Sequence, residues 1–252
     1  MRNWYETVEE RYWLHPDEVG GEEARFIVKV LRLRRGDSVL DAPCGAGRVS
    51  IHLARAGLAV TGLDLRNGFV RRARQRFRTA GLRGVFRVLD LRYLEFAAQF
   101  SGIFNWAGSF GYFTDAENVA LVAAYARALR PGGRLLIEQP EREHLRRHFQ
   151  REMRTGSVTV RCRWNARDQR VTTRRYESGV ERRRNSSSIR LYTPAQMRAL
   201  FERAGLVVVG IYRSLTFDAY GNSVPRMAIV GRMPLTGARP AKSASPTRGT
   251  TS

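Results

Sequence analysis

The stretch that decides the fold is Ser38–Val60, SVLDAPCGAGRVSIHLARAGLAV. A short apolar run from Ser38 to Ala42 leads through Cys44-Gly45-Ala46-Gly47 into a segment with helical spacing that Gly57 ends. Strand, glycine turn and helix in that order let the backbone approach a ligand closely and aim a helix N-terminus at it. Several cofactors accept such a turn, and its neighbours choose between them. A nicotinamide fingerprint reads GxGxxG, whereas Gly45 and Gly47 are followed here by Ser50. A phosphate-binding Walker loop ends in GK[ST], and this stretch has no lysine. It has instead Asp41 at the strand end, four residues before the first glycine. An acid there suits a positively charged amino group and would repel a pyrophosphate.

Working outward, strand and helix alternate. VEERYWLHPDEVGGEEARFIVKVLRL reads as two helical pieces broken near His15-Pro16 and Gly20-Gly21, with Phe26, Ile27, Val30 and Leu31 at helical spacing. After the opening unit, AVTGLDL is a second strand, GFVRRARQRFRTAG a helix ended by Gly81, and VFRVLDL a third strand. GIFNWAG is a fourth strand, AENVALVAAYARALR a helix stopped by Pro131-Gly132-Gly133, and RLLIEQP a fifth strand. This alternation predicts an α/β fold: a seven-stranded, doubly wound Rossmann-like sheet covered on both faces.

After Pro140 the pattern changes. SVTVRCRWN, RVTTRRYES and SSIRLY read as short antiparallel strands, a small β insert. TPAQMRALFERAG is a helix with Thr193 as N-cap, Pro194 in the first turn and Gly205 beyond the end. LVVVGIY and RMAIVGR complete the sheet. The chain thus divides into a helical cap (1–37), a cofactor-binding core (38–140), an insert that caps the acceptor site or makes a dimer contact (141–192), the end of the core (193–233) and a disordered tail (234–252).

Composition bounds the function. With 252 residues, 43% of them hydrophobic, the chain can bury a substantial core. No apolar run reaches the roughly 20 residues that span a bilayer, and the N-terminus lacks a signal-peptide pattern, so a cytoplasmic monomer or homodimer without a membrane partner is expected. Cys44 and Cys162 form no CxxC pair and indicate neither a disulfide framework nor a zinc site. The net charge of +21 invites a nucleic-acid reading. All 44 basic residues are arginine except Lys29 and Lys242, however, and they are spread along the chain, as arginine-rich codon usage would also produce. Charge alone therefore does not favour nucleic acid as the partner.

The ordered residues resemble those of class I S-adenosylmethionine-dependent methyltransferases, over Ser38 to Glu138. Asp41-Ala-Pro-Cys44-Gly45-Ala-Gly47-Arg48 is similar to that family's first motif in a DxxCGxGR form. The resemblance implies S-adenosyl-L-methionine as cofactor, with Asp41, Ala42, Cys44, Gly45 and Gly47 around its methionine end, Asp64 and Leu65 at the ribose, and Asp90 and Leu91 at the adenine. Asn105, Trp106 and Ala107 match the segment that lines the methionine end. Independently of any name, Asp41, Asp64, Asp90 and Asn105 end four successive strands, where an open parallel sheet places its ligand crevice. They give a very basic protein an acidic pocket suited to an ammonium and a sulfonium.

Two departures matter. Pro43 and Cys44 stiffen the turn, with Cys44 expected to pack as a small apolar residue. NWAGSFGYF also lacks the Asn/Asp-Pro-Pro-aromatic tetrapeptide of enzymes that methylate base or glutamine amides. A small-molecule acceptor, methylated at oxygen or nitrogen, is the reading that remains in front, ahead of RNA, protein or a non-catalytic cofactor-binding subunit. In-line methyl transfer draws its rate largely from proximity, so a general base is optional. Tyr112, with Ser109 and Gly111 in GSFGYF, is placed to line the acceptor pocket, and His148, four residues after His144, is a candidate base. The surroundings EREHLRRHFQR read as an exposed basic helix, so no metal is assigned to the two histidines. Trp4, Tyr5, Tyr12 and Trp13 are expected either to close over the cofactor or to staple the first helix to the domain.

Overall fold

A computed structural model of the chain describes Asp17, residues 19–217 and residues 223–235. The expectations for Trp4, Tyr5, Tyr12, Trp13 and the tail beyond residue 235 lie outside these residues.

The chain enters through α1 (Gly20–Leu31), then alternates β1 (Ser38–Asp41), α2 (Ser50–Arg55), β2 (Ala59–Asp64), α3 (Asn67–Thr79), β3 (Val85–Val88), β4 (Phe100–Asn105), α4 (Asp115–Ala128) and β5 (Leu129–Pro140). After α5 (Arg142–Arg147) come the insert strands β6 (Glu152–Thr155), β7 (Val158–Asn165), β8 (Arg170–Glu177) and β9 (Val180–Arg190). The chain returns through α6 (Pro194–Arg203), β10 (Val207–Phe217) and β11 (Ser223–Arg232).

Seven strands form one sheet in the order β10-β11-β5-β4-β1-β2-β3. The first five in sequence run parallel to one another, and β11 pairs antiparallel with both β5 and β10. Because β1 pairs with β2 on one side and β4 on the other, the chain reverses its winding direction there, and a crevice opens beyond the carboxyl ends of those strands.

Period-two alternation divides the apolar side chains between the faces. Leu40, Ile103, Leu135, Ile137 and Ile229 pack under α4 and α6 with Leu121, Tyr125, Met197 and Phe201. Val39, Phe104, Leu136 and Val230 pack under α1, α2 and α3 with Ile27, Leu31, Leu53 and Phe77. The expected doubly wound sheet is therefore the one observed. The second sheet, β6-β7-β8-β9, is antiparallel throughout.

Two expectations need correction, and one boundary gains a reason. Gly20-Gly21, where a break was expected, is where α1 begins, and a Cβ on Gly20 would stand 3.0 Å from the Arg48 carbonyl oxygen, so a small residue there lets α1 approach the turn before α2. The insert contains a fourth strand, β6, which EMRT does not announce because it carries no apolar alternation. SSIRLY is only the end of a longer strand that starts at Val180, and Leu191 and Tyr192 lie past it. The α6 signals hold: Thr193 and Gln196 form a reciprocal capping box, Pro194 occupies the first turn, and Gly205 adopts φ +82° after the end.

One buried phenol ties α4 to the crevice. Tyr125 Oη donates to the Ala42 carbonyl oxygen at 2.8 Å and accepts from Asn105 Nδ2 at 3.2 Å, joining the ends of β1 and β4. Tyr125→Phe leaves both partners buried without it, at a cost of about 1–3 kcal/mol. The expected outcome is a melting temperature several degrees lower, read by calorimetry, with an unchanged far-ultraviolet spectrum.

Candidate functional site

The glycine turn is held from three directions. Ala42 N–H donates to the Phe104 carbonyl at 3.1 Å and Cys44 N–H to the Leu63 carbonyl at 2.8 Å, so the turn continues the pairing of β1 with both neighbours. Gly45 N–H then donates to Asp64 Oδ2 at 2.9 Å. Asp64 Oδ1 accepts from Arg66 N–H at 2.8 Å, so one carboxylate joins the turn after β1 to the turn after β2. Gly45 (φ +51°) has no protein atom within 4 Å of where a Cβ would project, which leaves backbone facing open space. Gly47 (φ +74°) does the opposite: its Cβ would stand 3.1 Å from Ala73 Cβ, so the turn lies directly against α3.

Around this turn the acids differ in state. Asp41 is buried, accepts from Ser50 Oγ at 2.6 Å, and has Asp64 and Glu23 as neighbouring charges. Burial pushes its carboxyl up to about 8; the Ser50 hydrogen bond and Arg48 oppose that rise, and the two acids add to it. Glu23 of α1 pairs with Arg48, both nearly buried. Burial also raises the Cys44 thiol, which therefore packs as a small inert side chain. Asp90 caps the turn at Leu91–Tyr93 and holds Arg92, whose Nη2 lies 2.6 Å from Asp90 Oδ2 and whose Nη1 lies 3.0 Å from Glu117 Oε1.

At the other end of the crevice the chain leaves β4 through Trp106, Ala107 (φ +56°) and Gly108 (φ +69°). Gly108 N–H donates to Glu138 Oε2 at 3.2 Å, and Glu138 is fully buried in an ion pair with Arg226 at 2.5 Å. Among the described residues, Asn105 Oδ1 and Trp106 Nε1 are buried without a hydrogen-bond partner. The next turn carries Tyr112, which is half-buried. Burial holds its phenol well above the usual range, with Asp64 adding to the rise and Ser109, Arg226 and Arg175 opposing it. At the rim, Asp17 meets the guanidinium of Arg76 on α3 in two bonds of 2.9 Å.

A single crevice open to solvent runs between these groups. Of the residues expected from sequence, Asp41, Cys44, Gly45, Asp64, Leu65, Asp90, Leu91, Trp106, Ala107, Ser109 and Tyr112 line it together. Ala42, Gly47 and Asn105 support the lining, through the Tyr125 bond, the α3 contact and the β4 end. His148 stands elsewhere: it is exposed at the end of α5, its ring stacked on His144 at 4.2 Å and its Nδ1 3.0 Å from the His144 carbonyl oxygen.

Sequence reasoning missed Asp17, Arg66, Phe69 and Arg76 in the wall, and the Glu138–Arg226 pair behind it. Only Glu138 left a signal, as a charge inside the apolar run of β5.

Comparison with known proteins gives the same picture. Residues 39–133 match the family described as "Methyltransferase domain". The chain is 35% identical over 117 residues to the S-adenosyl-L-methionine-dependent Diels-Alderase iccD of Talaromyces variabilis, covering 44% of this chain and 39% of that protein. It is 35% identical over 144 residues to the 27-O-demethylrifamycin SV methyltransferase of Amycolatopsis mediterranei, covering 53% of this chain and 51% of that one. The chain thus spans about half the length, or less, of these curated relatives. Among solved structures, the CcbJ methyltransferase of Streptomyces caelestis superimposes with a TM-score of 0.73 at 18% identity, over 92% of this chain and 98% of that one, a likeness of fold.

Asp41 makes stability depend on pH in a definite sense. Its folded value of about 8 lies above the unfolded value of about 3.9, so between these the native state alone holds the proton. Stability from this group is fully present below pH 4 and is lost as pH rises toward 8, by at most about 1.4 kcal/mol per pH unit. Asp41→Asn should flatten that slope. Urea unfolding at pH 5, 6, 7 and 8 should show the difference, mutant minus wild type, growing with pH, and a constant difference would refute the assignment.

Proposed function

We propose that the chain, whose residues 39–133 match a methyltransferase domain, is a class I S-adenosylmethionine-dependent methyltransferase that transfers the cofactor's methyl group to an oxygen or nitrogen of a small molecule. The observation that carries this reading is the polarity of the crevice. In a protein of net charge +21, one end is built from Asp41, Asp64 and Asp90 and the other from Ser109 and Tyr112.

The residues present fit the cofactor. Among the described residues, nothing stands where a Gly45 Cβ would project, and Asn105 Oδ1 and Trp106 Nε1 are buried polar atoms without partners. Asp64 would hold the ribose hydroxyls, Asp90 and Leu91 the adenine, and Asp41, Gly45 and the Asn105–Ala107 segment the methionine end. Bound there, S-adenosylmethionine supplies a methyl group activated by a positive sulfur. A cation beside Asp41 favours its ionised form, so Asp41 would release its proton as the cofactor's ammonium arrives at neutral pH.

Tyr112 has a defined role in this scheme. With its phenol raised by burial it keeps its proton at neutral pH, so it serves as a donor that orients the acceptor and does not serve as a base. Orientation of this kind is the main source of rate in an in-line transfer, worth up to about 7–11 kcal/mol. The relative named for 27-O-demethylrifamycin SV supports a small-molecule acceptor.

A second reading is favoured by one observation, the likeness to a cofactor-dependent Diels-Alderase. In that case the crevice holds the cofactor and shapes a substrate without passing on the methyl group. One experiment separates the readings: methyl-labelled S-adenosylmethionine is supplied to the isolated chain with a metabolite extract and, in parallel, total RNA. Label in the metabolite fraction is the expected outcome, abolished by Asp64→Ala and lowered about 10- to 100-fold by Tyr112→Phe. Label in RNA overturns the small-molecule acceptor. No label from a chain that still binds S-adenosylhomocysteine in calorimetry overturns methyl transfer and supports the second reading.

A further inference from the structure

The turn that bears Tyr112 belongs to the core in sequence, yet its carbonyl groups are gripped from the second sheet. Arg170, at the start of β8, donates through Nη2 to the carbonyl oxygens of Gly111 at 3.1 Å and Tyr112 at 3.0 Å. Its Nη1 donates to that of Phe113 at 3.1 Å. The same guanidinium is fixed on β9 by Nε to Ser188 Oγ at 3.0 Å and by Nη2 to the Ser188 carbonyl oxygen at 2.9 Å. None of these five acceptors is a carboxylate. The group acts as a planar fork that reads three successive peptide carbonyls, which a lysine ammonium on a flexible stem could not span.

The turn is shaped to receive this grip. Gly111 (φ +95°) lies so close to β9 that a Cβ would collide with the Arg190 carbonyl oxygen. Arg190 N–H donates to the Gly111 carbonyl at 2.8 Å, so that oxygen serves both strands. Arg190 Nε meets Asp115 at 3.1 Å, at the start of α4 where the turn ends. From the core side, Asn118 Nδ2 reaches the Phe113 carbonyl at 3.0 Å. The Gly111 and Tyr112 carbonyls are thus held from the insert, beside the residues that wall the acceptor end of the crevice.

We propose that Arg170 is a positioning residue: the second sheet, through this guanidinium, sets where the Tyr112 wall stands and thereby the acceptor geometry, while the cofactor floor is built by the core alone. This rests on the reading of the crevice as a methyl-transfer site, and the test below separates the two. Arg170→Met keeps the stem and removes the fork, Arg170→Lys keeps the charge without the fork, and Gly111→Ala disturbs the same contact from the other side.

Three measurements apply to each variant: amide hydrogen exchange by mass spectrometry, calorimetry with S-adenosylhomocysteine, and methyl labelling of the metabolite extract. In Arg170→Met and Gly111→Ala, amides of residues 109–115 should exchange at least about tenfold faster, while peptides from β1 and β2 keep wild-type protection. Affinity for S-adenosylhomocysteine should stay within about threefold and labelling should fall at least about tenfold. Arg170→Lys should resemble Arg170→Met, and it carries the test should the methionine variant not fold. Wild-type exchange at 109–115 in Arg170→Met, wild-type behaviour of Arg170→Lys, or faster exchange spread over β1 and β2 would each overturn the proposal. If the wild-type chain transfers no methyl group, the proposed function fails while the exchange data still judge Arg170.

Discussion

The carboxylate of Asp64 is the constraint on which the crevice depends. It receives an amide from Gly45 and another from Arg66, and so fixes the separation between the ends of β1 and β2. Hydrogen bonds to an ionised acceptor are stronger than neutral ones, and here they act on two connections that no ladder bond joins. The residue also stands just ahead of α3, where negative charge is favoured by the helix dipole. Remove the carboxylate and the glycine turn keeps its strand contacts through Ala42 and Cys44 but loses the tether that turns the Gly45 backbone toward the cavity.

From this point the electrostatics of the crevice follow. Asp41 is buried close enough to Asp64 that the two negative charges oppose each other, and desolvation settles the contest by keeping Asp41 protonated up to about pH 8. Arg48 lies on the same side but is engaged by Glu23 of α1, so its charge only partly offsets the acids. The far end is different. There Glu138 is neutralised by Arg226, and Arg226 and Arg175 both act on the Tyr112 phenol. One crevice therefore offers a proton-holding acidic end and a more cationic end, an arrangement that separates a positively charged ligand from whatever lies against Tyr112.

Much of this was legible in the sequence because it is local. The order of strand, glycine turn and helix, the aspartates closing β1, β2 and the β3 connection, and the Thr193-Pro194 to Gly205 punctuation of α6 are encoded within a few residues of each other. What escaped is long-range. Glu23 finds Arg48 across 25 residues and Glu138 finds Arg226 across 88, and in an arginine-rich chain nothing marks which cation will be buried. The strand β6 escaped because its four residues owe their conformation to backbone pairing with β7 and not to a buried face. The boundary at Gly20-Gly21 was legible, but the close approach of Gly20 to Arg48 was not, because it is set by tertiary packing.

Arg170 of the insert is surrounded by carbonyl and hydroxyl oxygens and not by carboxylates, and the turn it holds explains why. A turn that passes through Gly108 and Gly111 at positive φ cannot satisfy its own carbonyl groups by helix or ladder bonds, and buried carbonyls must find donors. A guanidinium supplies several from one plane, and because its partners are peptide groups the grip does not depend on which side chains the turn presents. Residues facing the acceptor can then change without loss of the anchor. The floor of the crevice is built from strands of the first sheet, and the bonds of Gly45 to Asp64 and of Tyr125 to Ala42, with the β1 ladder, run within that sheet and α4. A fold arranged this way can keep one wall of the crevice fixed while the second sheet sets the opposite wall.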